Sequence, residues 1–217
     1  MNIFDLLLSY PRSLKNLARL NLIYYTHIYK IRFKSIIMNK SSIFFSTNAQ
    51  KVLAFYLDKP NGRFYDAQVS DMTKISRAGT NIALRVLSAY GYLECDKQGR
   101  MRFYRLAKNN YLVRQCRVLH LLEKMHGLLN KLRPLSEKAV LFGSEAKGVS
   151  NEESDIDLLI ISREDGKVRQ IINGSEFVEK ISPIIKSPVE MITLKNSNKE
   201  LAKSIEEGIV LWEETTN

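Results

Sequence analysis

The sequence predicts an α/β (α+β) fold of two domains, in which a helical module with a β-hairpin precedes a small mixed sheet with flanking helices. Three observations predict it. Residues 46–106 carry three helical patterns and then two β-prone segments around a glycine-containing turn. Residues 111–132 form one long helical pattern, and residues 138–217 alternate short apolar strands with helices. The length of 217 residues, of which 45% are hydrophobic, is sufficient for two cores.

The charge is divided unevenly along the chain. The net charge is +6 over residues 1–40, +9 over residues 41–137 and −5 over residues 138–217. The positive excess in the first two segments predicts a polyanionic partner for that half. Together with the element patterns, it predicts a basic N-terminal extension at 1–40, a helical module at 41–108, a linker helix at 109–134 and a strand-rich domain at 135–217.

The basic extension has three interpretations. It is a pair of amphipathic helices that touches nucleic acid or membrane, an arm that binds a partner, or sequence upstream of a true start at Met38. We expect a peripheral segment with no catalytic role. Its lack of a small-residue cleavage site argues against a signal peptide.

Several features predict a cytoplasmic protein without a membrane partner. No apolar run reaches the roughly 18 residues that a membrane-spanning helix needs. The spacing of Cys95 and Cys116 suggests neither a disulfide framework nor a zinc site. His120 and His126 lack a neighbouring cluster of acids or cysteines, so we expect them to be structural or exposed.

The helical module begins with a helix at Asn48–Leu57, which the turn Lys59-Pro60-Asn61-Gly62 ends. A second helix is predicted at Tyr65–Thr73 with Asp66 as its cap, and a third runs from an N-cap at Ser76 to Tyr90. In the third helix, one stripe is predicted to pack and the other to face outward. The packed stripe is Thr80, Leu84 and Leu87, and the outward stripe is Arg77, Asn81, Arg85 and Ser88.

A hairpin follows, with strands at Tyr92–Asp96 and Arg100–Leu106 around Lys97-Gln98-Gly99. This order of three helices, glycine and hairpin resembles the winged helix-turn-helix domains of bacterial and archaeal regulators. The resemblance implies binding to double-stranded DNA, with the third helix in the major groove and the hairpin on the backbone. The implied DNA contacts are Arg77, Asn81, Arg85, Arg100 and Arg102. Such modules also serve in dimerisation or docking, which is the alternative.

The linker helix is predicted at Tyr111–Leu132, where Arg133-Pro134 ends it. Its apolar stripe is typical of a core or of a dimer seam. Because DNA-binding winged helices commonly act as two-fold dimers, the resemblance implies a homodimer through this helix. The strand-rich domain that follows has predicted strands at Ala139–Phe142, Ile156–Ile161, Ile181–Ile185 and Ile209–Trp212, and helices at Val168–Ile172 and Asn198–Glu207.

The most informative motif is Leu141-Phe142-Gly143-Ser144, followed after ten residues by Asp155-Ile156-Asp157. Carboxylates at positions i and i+2 of a strand point to the same face and can share a divalent cation. A turn into a helix at Gly143-Ser144 would direct backbone amides and a hydroxyl toward phosphate. Together these groups predict metal-assisted phosphoryl chemistry.

This motif resembles the DNA polymerase beta-like nucleotidyltransferase superfamily, with Lys138–Phe142, Ala146, Gly148 and Ser154 in register. The resemblance implies that Gly143 and Ser144 hold the phosphates of a nucleoside triphosphate, ATP being the expected one, with Lys147 nearby. It implies that Asp155 and Asp157 bind Mg²⁺ and take part in catalysis. Glu145 stands where many relatives carry Arg.

The family normally supplies a third carboxylate from a later strand. That strand is either Ile181–Ile185, which has no acid, or Val189–Ile192, which would supply Glu190 as a catalytic residue. An active enzyme is favoured by the presence of Gly143, Ser144, Asp155 and Asp157. A missing third carboxylate would favour a domain that only senses a nucleotide or binds a partner.

Two function classes follow. In the first, the chain transfers NMP to an acceptor, which the resemblance suggests is a partner protein such as a HEPN-domain toxin. An antitoxin that also represses its own operon would combine this activity with DNA binding. The second is a catalytically weak transcriptional regulator that binds DNA and senses a nucleotide or partner.

Overall fold

A computed structural model of the chain describes residues 42–151 and 154–214, apart from the side chains of Lys195 and Asn196. The predicted basic extension at 1–40 lies outside the described residues. Phe44–Asn217 form one compact unit. Both predicted parts of the chain, the helical module and the mixed sheet, are present within this unit.

The N-terminal module, residues 45–110, contains three helices and three short strands. They are α1 (Asn48–Asp58), β1 (Arg63–Tyr65), α2 (Asp66–Thr73), α3 (Arg77–Ala89), β2 (Leu93–Gln98) and β3 (Met101–Leu106). The strands form an antiparallel sheet in the order β1-β3-β2. The three predicted helices and the hairpin are therefore confirmed, and β1 is an additional strand that the sequence did not reveal.

Side chains of the residues before α1 and α3 cap these two helices. The Thr47 hydroxyl accepts a hydrogen bond from the Gln50 amide at 3.3 Å, and the Gln50 side chain accepts from the Thr47 amide at 3.0 Å. Ser76 caps α3 as predicted, since its hydroxyl accepts from the Gly79 amide at 3.2 Å.

The predicted capping role of Asp66 is wrong. Asp66 is the first residue of α2, and Tyr65 occupies the N-cap position. One oxygen of the Asp66 carboxylate accepts from the Ala67 amide at 2.9 Å, and the other accepts from the Asn81 side chain at 3.0 Å. Asp66 therefore ties α2 to α3.

The core of this module is apolar and lies between the helices and the sheet. Val52, Tyr56, Val69 and Leu84 are fully buried in it. The predicted packed stripe of α3 is confirmed, because Thr80, Leu84 and Leu87 are all buried.

A single helix, α4 (Tyr111–Leu132), follows and continues into a short 3₁₀ turn at Arg133–Leu135, so its predicted extent is confirmed. Its first turn contributes Val113 to the core of the N-terminal module. Its remaining buried positions belong to the core beneath the second sheet; they are Val118, Met125, Leu128 and Leu132. The apolar stripe of α4 is therefore largely used within the chain.

The second part of the chain is a four-stranded mixed sheet with helices. Its elements are β4 (Lys138–Phe142), α5 (Gly143–Ala146), β5 (Ile156–Ile161), α6 (Asp165–Asn173), β6 (Ile181–Lys186), α7 (Pro188–Ser197), α8 (Lys199–Glu206) and β7 (Ile209–Glu213). The strand order is β6-β5-β4-β7. β5 runs parallel to β6 and antiparallel to β4, and β4 is antiparallel to β7. This mixed sheet confirms the predicted fold class.

Helices cover both faces of this sheet. Leu158 and Ile160 pack on one face with residues of α4 and α6. Val140 and Leu159 pack on the other face with α7 and α8. Since side chains alternate along a strand, Asp157 belongs to the same face as Leu159.

One alternative from the sequence is wrong: Val189–Ile192 is helical and not a strand. Ser187 is the N-cap of α7, Pro188 occupies the first turn, and Glu190 completes a capping box with Ser187. The sequence Ser-Pro-Val-Glu is a recognisable helix start, so this signal could have excluded the strand. Among the helices of residues 42–151 and 154–214, none is long and apolar enough to cross a membrane.

Candidate functional site

The site begins where β4 ends and α5 starts. Gly143 has φ +72°, a conformation that favours glycine. A Cβ atom at this position would lie only 2.1 Å from Asp157 Oδ2. Phe142 pairs directly with Asp157 in the sheet, which explains this proximity. The predicted phosphate-binding turn and the predicted metal-binding carboxylate are therefore in contact.

The two aspartates differ in their surroundings. Asp155 lies just before β5 and is exposed, whereas Asp157 is the second residue of β5 and is partly buried. Burial raises the pKa of Asp157, and the negative charge of Asp155 raises it further. Two carboxylates that repel one another in this way form a suitable pair of oxygen donors for a divalent cation.

The strand beside the aspartates offers no further acid. β6 pairs with β5 in parallel, and Ser182 lies opposite Asp157. β6 contains no carboxylate in its sequence Ile-Ser-Pro-Ile-Ile-Lys. Within residues 42–151 and 154–214, no group of three or more His, Cys, Asp and Glu side chains is placed to hold a metal ion.

Glu190 is engaged elsewhere. Its Oε2 accepts hydrogen bonds from the Ser187 amide at 2.8 Å and the Ser187 hydroxyl at 2.7 Å. These bonds lower the pKa of Glu190 and stabilise the start of α7. The described part of the chain therefore gives Glu190 a capping position and brings it into no metal-binding group with Asp155 and Asp157.

The other predicted nucleotide-binding residues lie in and after α5. Ser144 is the second residue of α5, and its carbonyl oxygen accepts from the Val149 amide at 3.1 Å. Lys147 follows α5 directly, and its Nζ lies 3.0 Å from Glu207 Oε2. Both side chains of this ion pair are about half exposed, so the pair contributes little to stability.

Sequence reasoning missed the residues that lie behind this turn. Arg117 of α4 donates from Nη2 to the Ser150 carbonyl oxygen at 2.5 Å and to Ser150 Oγ at 2.9 Å. Glu145 of α5 shares a hydrogen bond with the same serine side chain. No local signal in the sequence could have joined Arg117 to Ser150, because 33 positions separate them.

The predicted DNA contacts occupy different environments. Arg77, Arg85, Arg100 and Arg102 are exposed. Asn81 is partly buried, and its Nδ2 donates to Asp66 Oδ2 at 3.0 Å and to the Arg77 carbonyl oxygen at 3.3 Å. A DNA contact that uses Asn81 Nδ2 would have to replace one of these two hydrogen bonds. The exposed apolar residues Ile82 and Val86 also lie on α3, before and after Arg85 in the sequence.

His120 and His126 each form a hydrogen bond, and neither Cys95 nor Cys116 is in a disulfide. His120 Nε2 lies 2.9 Å from Asp58 Oδ1, so this histidine joins α4 to the end of α1. His126 is bonded to Asn130 in the same helix at 2.9 Å. Both cysteines have free thiols; Cys95 is exposed, and burial raises the pKa of Cys116.

Residues 123–217 match the model of the family described as "Polymerase beta, Nucleotidyltransferase". This segment contains the second sheet and the whole Gly143–Asp157 contact. Residues 123–217 are therefore similar to nucleotidyltransferase domains of the polymerase beta type.

The comparisons with curated proteins and with solved structures are less informative. No curated protein matches the chain. Two solved structures resemble it weakly. The adhesin competence repressor AdcR from Streptococcus pyogenes is 18% identical, with 54% of this chain and 84% of that chain covered and a TM-score of 0.31. Human N-acetylserotonin methyltransferase in complex with SAM is 19% identical, with 58% of this chain and 35% of that chain covered and a TM-score of 0.28. Such TM-scores support no argument about fold or function.

Proposed function

We propose that the C-terminal domain transfers a nucleoside monophosphate from a nucleoside triphosphate, with ATP as the expected donor, to a hydroxyl of an acceptor. The observation that carries this proposal is the contact between Gly143 and the carboxylate of Asp157. It keeps a phosphate-binding turn beside a pair of carboxylates, which is the arrangement that nucleotidyl transfer needs.

The residues of the site fit a Mg²⁺–nucleotide complex. Asp155 and Asp157 would hold Mg²⁺, which prefers carboxylate oxygens, water and phosphate as ligands. When bound, the ion neutralises charge on the phosphate groups during transfer. Ser144 would donate its hydroxyl to a phosphate oxygen, and Lys147 would add a positive charge after leaving Glu207.

The acceptor hydroxyl must lose a proton during the reaction. In relatives the third carboxylate assists this step, whereas here Ser182 is paired with Asp157 on the neighbouring strand. Ser182 is a poor proton acceptor at neutral pH. We therefore expect slow turnover unless the acceptor molecule brings its own base. A partner protein, such as a HEPN-domain toxin, is the acceptor that the family resemblance suggests.

We also propose that the N-terminal module is a winged helix-turn-helix that binds double-stranded DNA. The element order α1-β1-α2-α3-β2-β3 and the exposed residues Arg77, Arg85, Arg100 and Arg102 support this role. If the chain both transfers a nucleotidyl group to a toxin and binds its own operator, it is a self-regulating antitoxin. A homodimer is expected of a DNA-binding winged helix. A dimer through α4 would use its exposed apolar residues Tyr111, Leu112 and Leu119.

The absence of a carboxylate on β6 favours a second candidate function. In this alternative the domain binds a nucleotide or a partner without transferring a nucleotidyl group, and the bound state alters DNA binding. The two candidates share the Gly143–Asp157 site and differ in whether the domain transfers a nucleotidyl group.

A transfer assay separates them. The full chain, Mg²⁺ and each nucleoside triphosphate labelled at the α-phosphate are incubated with lysate of the native host, beside an Asp155→Asn/Asp157→Asn variant. Label on a protein or RNA band with the unmodified chain alone supports the transferase. Absence of label, at concentrations where binding of the triphosphate is measured directly, supports the regulator. Absence of both label and triphosphate binding overturns the transferase and the nucleotide-sensing regulator, and leaves only a regulator that senses a partner.

A further inference from the structure

Helix α4 is shared between the two parts of the chain. Val113 belongs to the core of the N-terminal module, whereas Met125 and Leu132 belong to the core under the second sheet. The segment that matches the nucleotidyltransferase family begins at residue 123. The first half of α4 therefore lies outside the matched segment, although it contacts the site described above.

The first contact is between the backbones of Gly148 and Arg114. Gly148 is buried and has φ +65°. A Cβ atom there would lie 2.2 Å from the Arg114 carbonyl oxygen. The backbone at Gly148 thus packs directly against the backbone of α4, and no space is left for a side chain at position 148.

The second contact is a pair of hydrogen bonds from Arg117 to Ser150. One nitrogen, Nη2, reaches both the carbonyl oxygen and the hydroxyl of this serine, at 2.5 and 2.9 Å. Ser150 is only 5% exposed, so its carbonyl group depends on this donor in place of water. A hydrogen bond from a charged donor to a buried group is among the stronger ones in proteins.

The third contact is electrostatic and involves Glu145. Burial raises the pKa of Glu145, while its hydrogen bond to Ser150 and the charge of Arg117 act in the opposite direction. Burial also lowers the pKa of Arg117, and the charge of Glu145 opposes this effect. Each of these partly buried charged groups is therefore stabilised in its ionised form by the charge of the other. Glu145 lies only two residues after Gly143, so the pair connects α4 to the phosphate-binding turn itself.

We propose that Arg117 is a positioning residue for the nucleotide site: through Ser150 and Glu145 it holds α5 against α4 and so fixes Ser144 relative to Asp157. This inference rests on the proposed function, because it assumes that Gly143 and Ser144 bind phosphate. It also explains why an acid at position 145 suits this chain, since the acid faces Arg117. The nucleotide site is then incomplete without the first half of α4.

The test uses the full chain and three variants. Arg117→Met removes the donors and keeps an unbranched apolar side chain, and Arg117→Lys restores one charged donor group. Lys124→Met is the matched control, because Lys124 lies on the same helix and its Nζ binds Asp58 at 2.9 Å, away from Ser150. Two quantities are measured: amide hydrogen exchange of residues 147–151 without nucleotide, and the Kd for MgATP.

In Arg117→Met we expect faster exchange at residues 147–151 and MgATP binding that is weaker by roughly tenfold or more, since small displacements of a binding group are costly. Arg117→Lys should recover part of both, and Lys124→Met should change neither. Equal exchange and equal Kd in Arg117→Met and Lys124→Met would overturn the inference. If Arg117→Met does not fold, Ser150→Ala, which removes one acceptor, serves in its place.

The design also separates the inference from the proposed function. If the unmodified chain does not bind MgATP, the proposed function fails. The exchange measurement still decides whether Arg117 orders residues 147–151. If the unmodified chain binds MgATP and Arg117→Met binds it equally well, the proposed function stands and the positioning role fails.

Discussion

The carboxylate of Asp157 occupies the space that a side chain at position 143 would need, since a Cβ atom there would lie 2.1 Å from Oδ2. This contact joins the end of β4 to the start of β5, which pair at Phe142 and Asp157. Neither residue can change size without moving the other. The proposed phosphate-binding turn and the carboxylate of Asp157 are therefore a single structural unit, and a substitution in one tests both.

Gly143→Ala should disrupt this unit. The new methyl group meets the carboxylate, and φ +72° is unfavourable for alanine, so we expect a loss of roughly 1–3 kcal/mol in unfolding free energy. MgATP binding should weaken by more than about tenfold. Urea unfolding and a binding titration measure the two effects. Gly166→Ala is the control, because among the described residues a Cβ atom there would meet no atom within 4 Å apart from its chain neighbours and its own helix backbone. Equal unfolding free energies and equal MgATP affinities of the two variants would contradict the argument.

Asp157→Asn should stabilise the protein when no metal or nucleotide is present. The raised pKa of Asp157 means that burial and the charge of Asp155 disfavour its ionised form in the folded state. Stability from this group is present at low pH and is lost as the pH rises through its folded pKa, so the ionised carboxylate is unfavourable at neutral pH. Asparagine removes that cost while weakening Mg²⁺ binding. A lower thermal midpoint for Asp157→Asn than for the unmodified chain, both without metal, would show that this reasoning is wrong.

The elements could be predicted from the sequence wherever a local signal sets them. The cap at Ser76, the stop at Pro134 and the buried run Ile156–Ile161 each depend on neighbours in the chain. The contacts behind the site could not be predicted, because Arg117 and Ser150 meet only through the packing of α4 against the sheet. The strand β1 was also missed, since a three-residue strand is stabilised by its pairing with β3 and has no pattern of its own.

The ion cluster of Asp58, His120 and Lys124 should make stability depend on acidic pH. Burial alone would raise the pKa of Asp58, but hydrogen bonds from His120 and Lys124 outweigh it and lower the pKa to about 2. The ionised group therefore contributes stability that is present above its ordinary value of 3.8 and is lost as the pH falls toward 2. Since Asp58 is half exposed, solvent screening limits the contribution to about 1 kcal/mol.

Asp58→Asn should then lower the unfolding free energy by that amount at pH 7, and the difference from the unmodified chain should shrink below pH 4. Urea unfolding at pH 7 and pH 3 measures it. Asp71→Asn, at an exposed position of α2, is the control and should show little change at either pH. A difference for Asp58→Asn that is equal at the two pH values would rule out this linkage.

The DNA-binding role predicts a specific salt dependence. If Arg77 and Arg85 each contact a phosphate, replacing both with alanine should reduce the slope of log affinity against log salt by about 2. Fluorescence anisotropy with a duplex containing the protein's own upstream region measures the slope. Arg163→Ala, which removes an exposed charge from the second part of the chain, should leave it unchanged. Equal slopes in all three proteins would exclude α3 as the DNA-contacting helix.

Glu190 allows the capping and catalytic interpretations to be separated by two substitutions. Glutamine at the third position of a helix can replace glutamate in a capping box, whereas alanine cannot. If Glu190 only caps α7, Glu190→Gln keeps both the melting temperature and nucleotidyl transfer, while Glu190→Ala lowers the melting temperature and leaves transfer at temperatures below unfolding intact. If Glu190 were the third catalytic carboxylate, Glu190→Gln would abolish transfer without loss of stability. The bonds from Ser187 to Glu190 Oε2, at 2.8 and 2.7 Å, favour the first outcome.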